Sequence, residues 1–211
     1  MIGTGDGTRP PIKSESRIEP TDCGSSMFSR TDDLHLRVQQ LSLREQIERN
    51  HFLLVRLNAA SARLIEALEH DDVFDAIAEI IANLIGSEEI AVFDYYPANQ
   101  NFSLARSWGV EADALQSFLC GAGMLSRAVQ QSASQFRDRQ PETALLPHEK
   151  NLTACIVLKS SREIAGVIAI FGLLPQKERL EWADYELLRF LETYAAVALQ
   201  FHRLQRKQTA P

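Results

Sequence analysis

The stretch Ile156-Val-Leu-Lys-Ser-Ser-Arg-Glu-Ile-Ala-Gly-Val-Ile-Ala-Ile170 decides the fold. It lies within two apolar runs, Leu152 to Lys159 and Glu163 to Leu173, that meet at a polar turn placed at Ser160-Ser161. Apolar runs of this length bounded by turn residues read as a β-hairpin. Successive side chains of a strand point to opposite faces of its sheet. Ile164 to Phe171 is apolar at both sets of positions, so this strand is expected at the centre of a sheet covered on both sides.

On its N-terminal side the hairpin is preceded by a polar loop, Arg139 to Lys150, containing Pro141 and Pro147, and by a short strand over Ser134 to Arg137. Before these, Glu111 to Leu119 and Met124 to Gln131 read as short helices flanking Cys120-Gly-Ala-Gly123. Glu89 to Tyr96 is β-rich, and Phe102 to Trp108 alternates cleanly, with Pro97-Ala-Asn-Gln-Asn101 turning one into the other. After the central hairpin, Glu181 to Lys207 is a long amphipathic helix carrying Leu187, Leu188, Leu191, Tyr194, Ala195, Ala198 and Phe201. Strands grouped in hairpins predict the α+β class: a mostly antiparallel central sheet of about five or six strands with helices on both faces.

The N-terminal third is different material. Residues 1–30 are rich in Gly, Pro, Ser and Thr, offer little to bury, and are expected to form a disordered tail. A long helix opens at Ser29-Arg-Thr-Asp-Asp33, where a hydroxyl can cap and two carboxylates suit the positive end of the helix dipole. No Pro or Gly interrupts the chain until Gly86, which closes a second helix spanning Asp72 to Ile85. The first helix, Asp32 to Glu69, carries a coiled-coil seam at Leu36, Leu43, Ile47, Asn50 and Leu54. Asn50 stands where a buried amide fixes register between paired helices. A second stripe runs through Leu34, Val38, Leu41, Phe52, Val55, Ala59 and Ala62. The expected organisation is a tail over 1–30, a signalling and dimerisation helix over 31–57 and a domain over 58–207.

A chain of 211 residues with 45% apolar and 24% charged residues has the composition of one soluble domain with an extension. A net charge of -6 and a pI near 5.4 speak against a nucleic-acid footprint, which needs a clustered basic surface. The longest apolar run is about half of a bilayer span, so no membrane insertion is expected. Met1-Ile-Gly-Thr-Gly-Asp6 has neither the basic nor the apolar region of a signal peptide, and three widely spaced cysteines form no disulfide framework. A cytoplasmic location is the expectation.

From about Asn58 to Gln200 the chain resembles a GAF domain, a small-molecule sensing module related to the PAS fold. Four segments carry the resemblance: Leu57 to Leu68 with Val73-Phe-Asp-Ala-Ile77; Gly121-Ala-Gly123 leading to Val129; Phe136-Arg-Asp138; and Ile156 to Ile170, continued by Leu180-Glu-Trp-Ala-Asp184-Tyr-Glu-Leu-Leu188. Val157 stands where the family usually has a proline. The resemblance implies a ligand pocket between the sheet and the middle helices, with Trp108, Cys120, Met124, Phe136, Arg137, Asp138, His148 and Cys155 around it. Equally, Trp108, Phe136 and Met124 read as core, and Arg137 with Asp138 as a mutual surface pair. Gly121-Ala-Gly123 ahead of a helix could present N–H groups to an anion; as a turn it needs no ligand. The resemblance also implies that the first and last helices pair with a second copy as a helical bundle.

The histidines lack metal-ligand spacing, so no metal is expected, and no cofactor is named by the sequence. Cys120 and Cys155 invite comparison with the family's free methionine sulfoxide reductases, whose cysteine-rich motif is absent. A mid-strand Cys155 reads as a small buried hydrophobe. The expected function is a non-enzymatic sensory protein that binds a small molecule or a protein partner and acts as a homodimer. By resemblance, the partner would be a histidine kinase, response regulator or chemosensory component. A ligand-independent adaptor is the alternative, and a thiol enzyme a further one.

Overall fold

The computed structural model describes residues 25–140, 145–160 and 163–209. The expected tail therefore lies outside the described residues up to position 24, as does Ser161 of the expected turn. The chain divides into two compact units, residues 1–47 and 48–211. Helix α1, Ser25–His70, already includes residues 25–31, ahead of the Asp32 expected from the caps.

In the second unit α1 is followed by α2 (Val73–Ile80), which widens into a π turn over Ile81–Ile85 and stops at Gly86. Strands β1 (Ile90–Tyr96) and β2 (Asn101–Trp108) form the first hairpin. The region read as a helix over Glu111 to Leu119 is instead a single 3-10 turn, Asp113–Leu115, and a short strand β3 (Ser117–Leu119). Here tertiary pairing overrides local propensity: β3 continues the sheet along β2, with Phe102 opposite Phe118. Helix α3 (Gly123–Gln131), β4 (Gln135–Phe136), the hairpin β5 (Ala154–Ser160) and β6 (Glu163–Ile170), and α4 (Trp182–Thr209) complete the chain.

The six strands are antiparallel in the order β3-β2-β1-β6-β5-β4. As its composition predicts, β6 lies at the centre, paired with β1 on one side and β5 on the other. Its alternate residues feed two core layers. Ile168 and Ile170 join Ile77, Ile81, Leu187 and Leu191 beneath α2 and α4, whereas Val167 and Ala169 join Phe93, Phe102, Met124 and Leu125 beneath α3. Gly166 is required by close approach, since a Cβ there would sit 2.5 Å from the Phe93 carbonyl oxygen.

Within residues 48–70, α1 buries Arg56, Ala60, Leu64 and Ala67. Leu57 and Leu68 are half-buried and pack against the same core. The core-facing side of this helix segment thus combines Arg56, two alanines and Leu64, flanked by Leu57 and Leu68.

Candidate functional site

Helix α3 opens at Gly121-Ala-Gly123, and its N-terminus is already occupied. The Glu149 carboxylate, fully buried, accepts from the backbone N–H of Met124 (3.0 Å to Oε2) and Leu125 (2.8 Å to Oε1). It also accepts from the N–H of Leu146 at 3.0 Å. A helix N-terminus leaves N–H groups unpaired and carries partial positive charge, so a carboxylate held there is strongly favoured. Gly123 makes room for it: its φ is +90°, and a Cβ would lie 2.3 Å from Glu149 Oε2. The anion position that the glycine turn suggested is filled by the chain's own side chain. Sequence reasoning missed Glu149 because it sits in a polar loop; the Pro147 that starts its 3-10 turn was the only available signal.

The layer beneath α3 is likewise filled, with Phe93, Phe102, Met124, Leu125, Leu152 and Val157 at most 2% exposed. Met124 and Cys155 belong to this layer. Burial, reinforced by the negative Glu149, pushes the Cys155 thiol well above its ordinary pKa. Cys120 is half-buried at the end of β3, its N–H donating to the Gln100 carbonyl at 2.7 Å. Its Sγ lies 3.9 Å from Gln130 Nε2 and lines an open cleft of about 1070 Å³ with Tyr95, Gln130, Ser132, Glu163 and Arg203. The Tyr95 hydroxyl is raised above its usual pKa, mainly by burial and then by Cys120.

The remaining candidates lie elsewhere. Trp108 packs with the α2/α4 layer and lines a groove with Asp75, Glu79 and Glu88. Phe136 meets the Tyr185 ring of α4 edge-on at 4.9 Å, and Arg139 stacks over Tyr185 at 3.7 Å. Arg137 and Asp138 do not pair with each other. Arg137 Nη1 donates to the Lys150 carbonyl at 3.0 Å, and Asp138 accepts from the Tyr185 hydroxyl. Both line a shallow groove with Lys177 and Arg179. His148 is half-buried on the 3-10 turn. The structure therefore groups Met124 and Cys155 in one core layer, with Cys120 packed against it at the edge of the cleft, and places Trp108, Phe136, Arg137 and Asp138 away from both.

On α1, Leu43, Ile47 and Leu54 are 58%, 59% and 63% exposed, and Asn50 is exposed between them. The side chain of Leu36 lies outside the described residues. Val38, Leu41, Phe52 and Val55 are also exposed, as are Tyr194, Val197, Phe201 and Leu204 on α4. Among the described residues, no helix is long and apolar enough to cross a membrane.

No curated protein matches the sequence. Several solved structures share the fold. The GAF domain of a phosphoenolpyruvate-protein phosphotransferase from Coxiella burnetii aligns with a TM-score of 0.57 at 13% identity, covering 74% of this chain and 96% of that one. Residues 122 to 287 of a methyl-accepting chemotaxis protein give 0.56 at 15% identity, covering 69% and 98%. Free methionine-R-sulfoxide reductase from Neisseria meningitidis, in complex with its substrate, gives 0.55 at 14% identity, covering 75% and 93%. The GAF domain profile matches residues 69–200, well over half of the sequence and the whole six-stranded sheet, and the chain belongs to the GAF domain family.

Proposed function

We propose that this GAF domain is a non-enzymatic signal-transduction module that forms a homodimer through α1 and passes its state to a separate signalling protein. The observation that carries the reading is the exposed seam Leu43, Ile47, Asn50 and Leu54, spaced as in a coiled coil. A fully buried Leu or Ile side chain is worth roughly 1.5–3 kcal/mol, so a second copy of the helix is a favourable cover. Asn50 then pairs with its counterpart and sets a parallel register. The partner class that family membership suggests is a histidine kinase, response regulator or chemosensory component.

The chemistry of the two described cysteines supports a non-enzymatic role. Catalysis by the sulfoxide reductase route needs an accessible thiolate and a resolving thiol within disulfide reach. Cys155 is fully buried with a raised pKa.

A ligand-independent adaptor is a second reading, favoured by Glu149 and the filled layer beneath α3. Mass spectrometry under native and denaturing conditions separates the two. A dimer retaining a small molecule supports a sensor, and an empty dimer with no thermal shift across a metabolite panel supports the adaptor. Sulfoxide reduction lost on mutating Cys120 or Cys155 would contradict the non-enzymatic reading.

A further inference from the structure

A buried cluster of charge joins α1 to the rest of its unit. Arg56, 7% exposed, donates through Nη2 to Asp184 Oδ1 at 2.6 Å and to the Leu84 carbonyl. Asp184, 1% exposed, accepts on Oδ2 from Lys177 Nζ at 2.7 Å and from the Glu181 N–H at 2.7 Å. Lys177 Nζ also donates to the Ile85 carbonyl at 2.6 Å. Four segments meet here: α1, the C-terminal turn after α2, the loop before α4, and the first turn of α4.

Taking such charges out of water is costly, and apolar residues of similar volume often serve stability as well or better. What an ion cluster offers that an apolar contact lacks is direction. Among the described residues of α1 the other buried positions are Ala60, Leu64 and Ala67, and two alanines beside one leucine offer little to lock a helix against rotation about its axis. Arg63, one heptad beyond Arg56, adds a second directional tie to Asp72 at 2.8 Å and to Glu79. Those two carboxylates are 33% and 53% exposed, so water screens that tie more strongly than the one at Arg56.

We propose that the Arg56–Asp184–Lys177 cluster is the joint that fixes the rotational setting of α1 on the GAF domain, and so determines which stripe of α1 meets a second copy. Arg56 is a positioning residue in this account. The inference rests on the homodimer reading. A change at the C-terminal turn of α2 or the first turn of α4 would reach the seam through this joint by turning α1.

Disulfide cross-linking between copies reads that setting directly. In the full chain carrying Cys23→Ser and Cys120→Ser, a single cysteine is placed at Leu54, on the seam, or at Val55, on the neighbouring stripe. With the joint intact, Leu54→Cys should cross-link at least about five times faster than Val55→Cys, as expected when only a facing pair of thiols comes within bonding distance. Arg56→Met with Asp184→Asn should reduce that ratio to within twofold while circular dichroism and thermal midpoint stay near wild type. Arg56→Lys, which keeps the charge and loses the planar fork, should restore the ratio in part. If the double variant unfolds, Arg56→Met alone is compared in the same assay. A dimer whose cross-linking preference ignores Arg56 overturns the joint alone. A parent protein that stays monomeric overturns the dimer reading and the joint with it.

Discussion

Glu149 is the residue on which the α3 face turns. It is a carboxylate buried completely, yet three backbone N–H groups and a helix N-terminus surround it. Removing it strands those donors, and the expected cost of Glu149→Ala is about 3 kcal/mol, read as a lower urea midpoint. Glu149→Gln keeps one acceptor oxygen and should lose less. Gly123→Ala forces a methyl group into the carboxylate and should lose more than the glutamine variant. Cys155 gives a second residue-scale prediction. Its thiol is fully buried and its pKa is raised, so at pH 8 a maleimide should modify Cys120 and leave Cys155 untouched until denaturant is added. Peptide mass mapping checks this, and rapid labelling of Cys155 in the folded protein would contradict it.

At the scale of elements, the junction of α1 and α2 is held by Arg63, whose guanidinium reaches Asp72 and Glu79. The Arg63 hydrogen bond holds the Asp72 carboxyl below its usual range, so the folded chain takes up that proton less readily than the unfolded one. This contribution to stability is present above the unfolded value near about pH 3.9 and is lost as pH falls through the lower folded value. The side chains are partly exposed, so Arg63→Gln should lower stability at pH 7 by less than about 1 kcal/mol. Urea titrations at several pH values should show the gap between variant and wild type closing in acid. A gap that widens in acid would contradict the assignment. The elements also differ in how far the sequence revealed them. Strands β5 and β6 were legible because both runs are long, apolar and bounded by turn residues. Strand β3 was not, because three residues carry no period and pairing with β2 creates it. The docked side of α1 was hidden for another reason: it holds Arg56 and two alanines beside Leu64, and a charged side chain and small residues carry little apolar periodicity.

For the whole molecule, what remained readable was the architecture and what did not was the site. The central place of β6 follows from its doubly apolar pattern, and the two core layers follow from β6 in turn. Of the chemistry-bearing residues, Cys120, Met124 and Cys155 meet in one layer and the others do not, because sequence distance says little about which face of a sheet a residue joins. Trp108 and Phe136 face the α2/α4 layer, Met124 and Cys155 the α3 layer, and Arg137 and Asp138 bond to different partners. The apolar surface left on the described part of α1 is the feature of largest consequence, since a second copy of the helix would cover it. Sedimentation equilibrium of the full 211-residue chain, comparing wild type with Ile47→Glu/Leu54→Glu, measures that self-association. The expected result is a dimer for the wild type at tens of micromolar (on the order of a weak-dimer Kd) and a monomer with unchanged β-sheet content for the variant. A wild-type protein that stays monomeric at that concentration, or a variant that dimerises equally well, would contradict it.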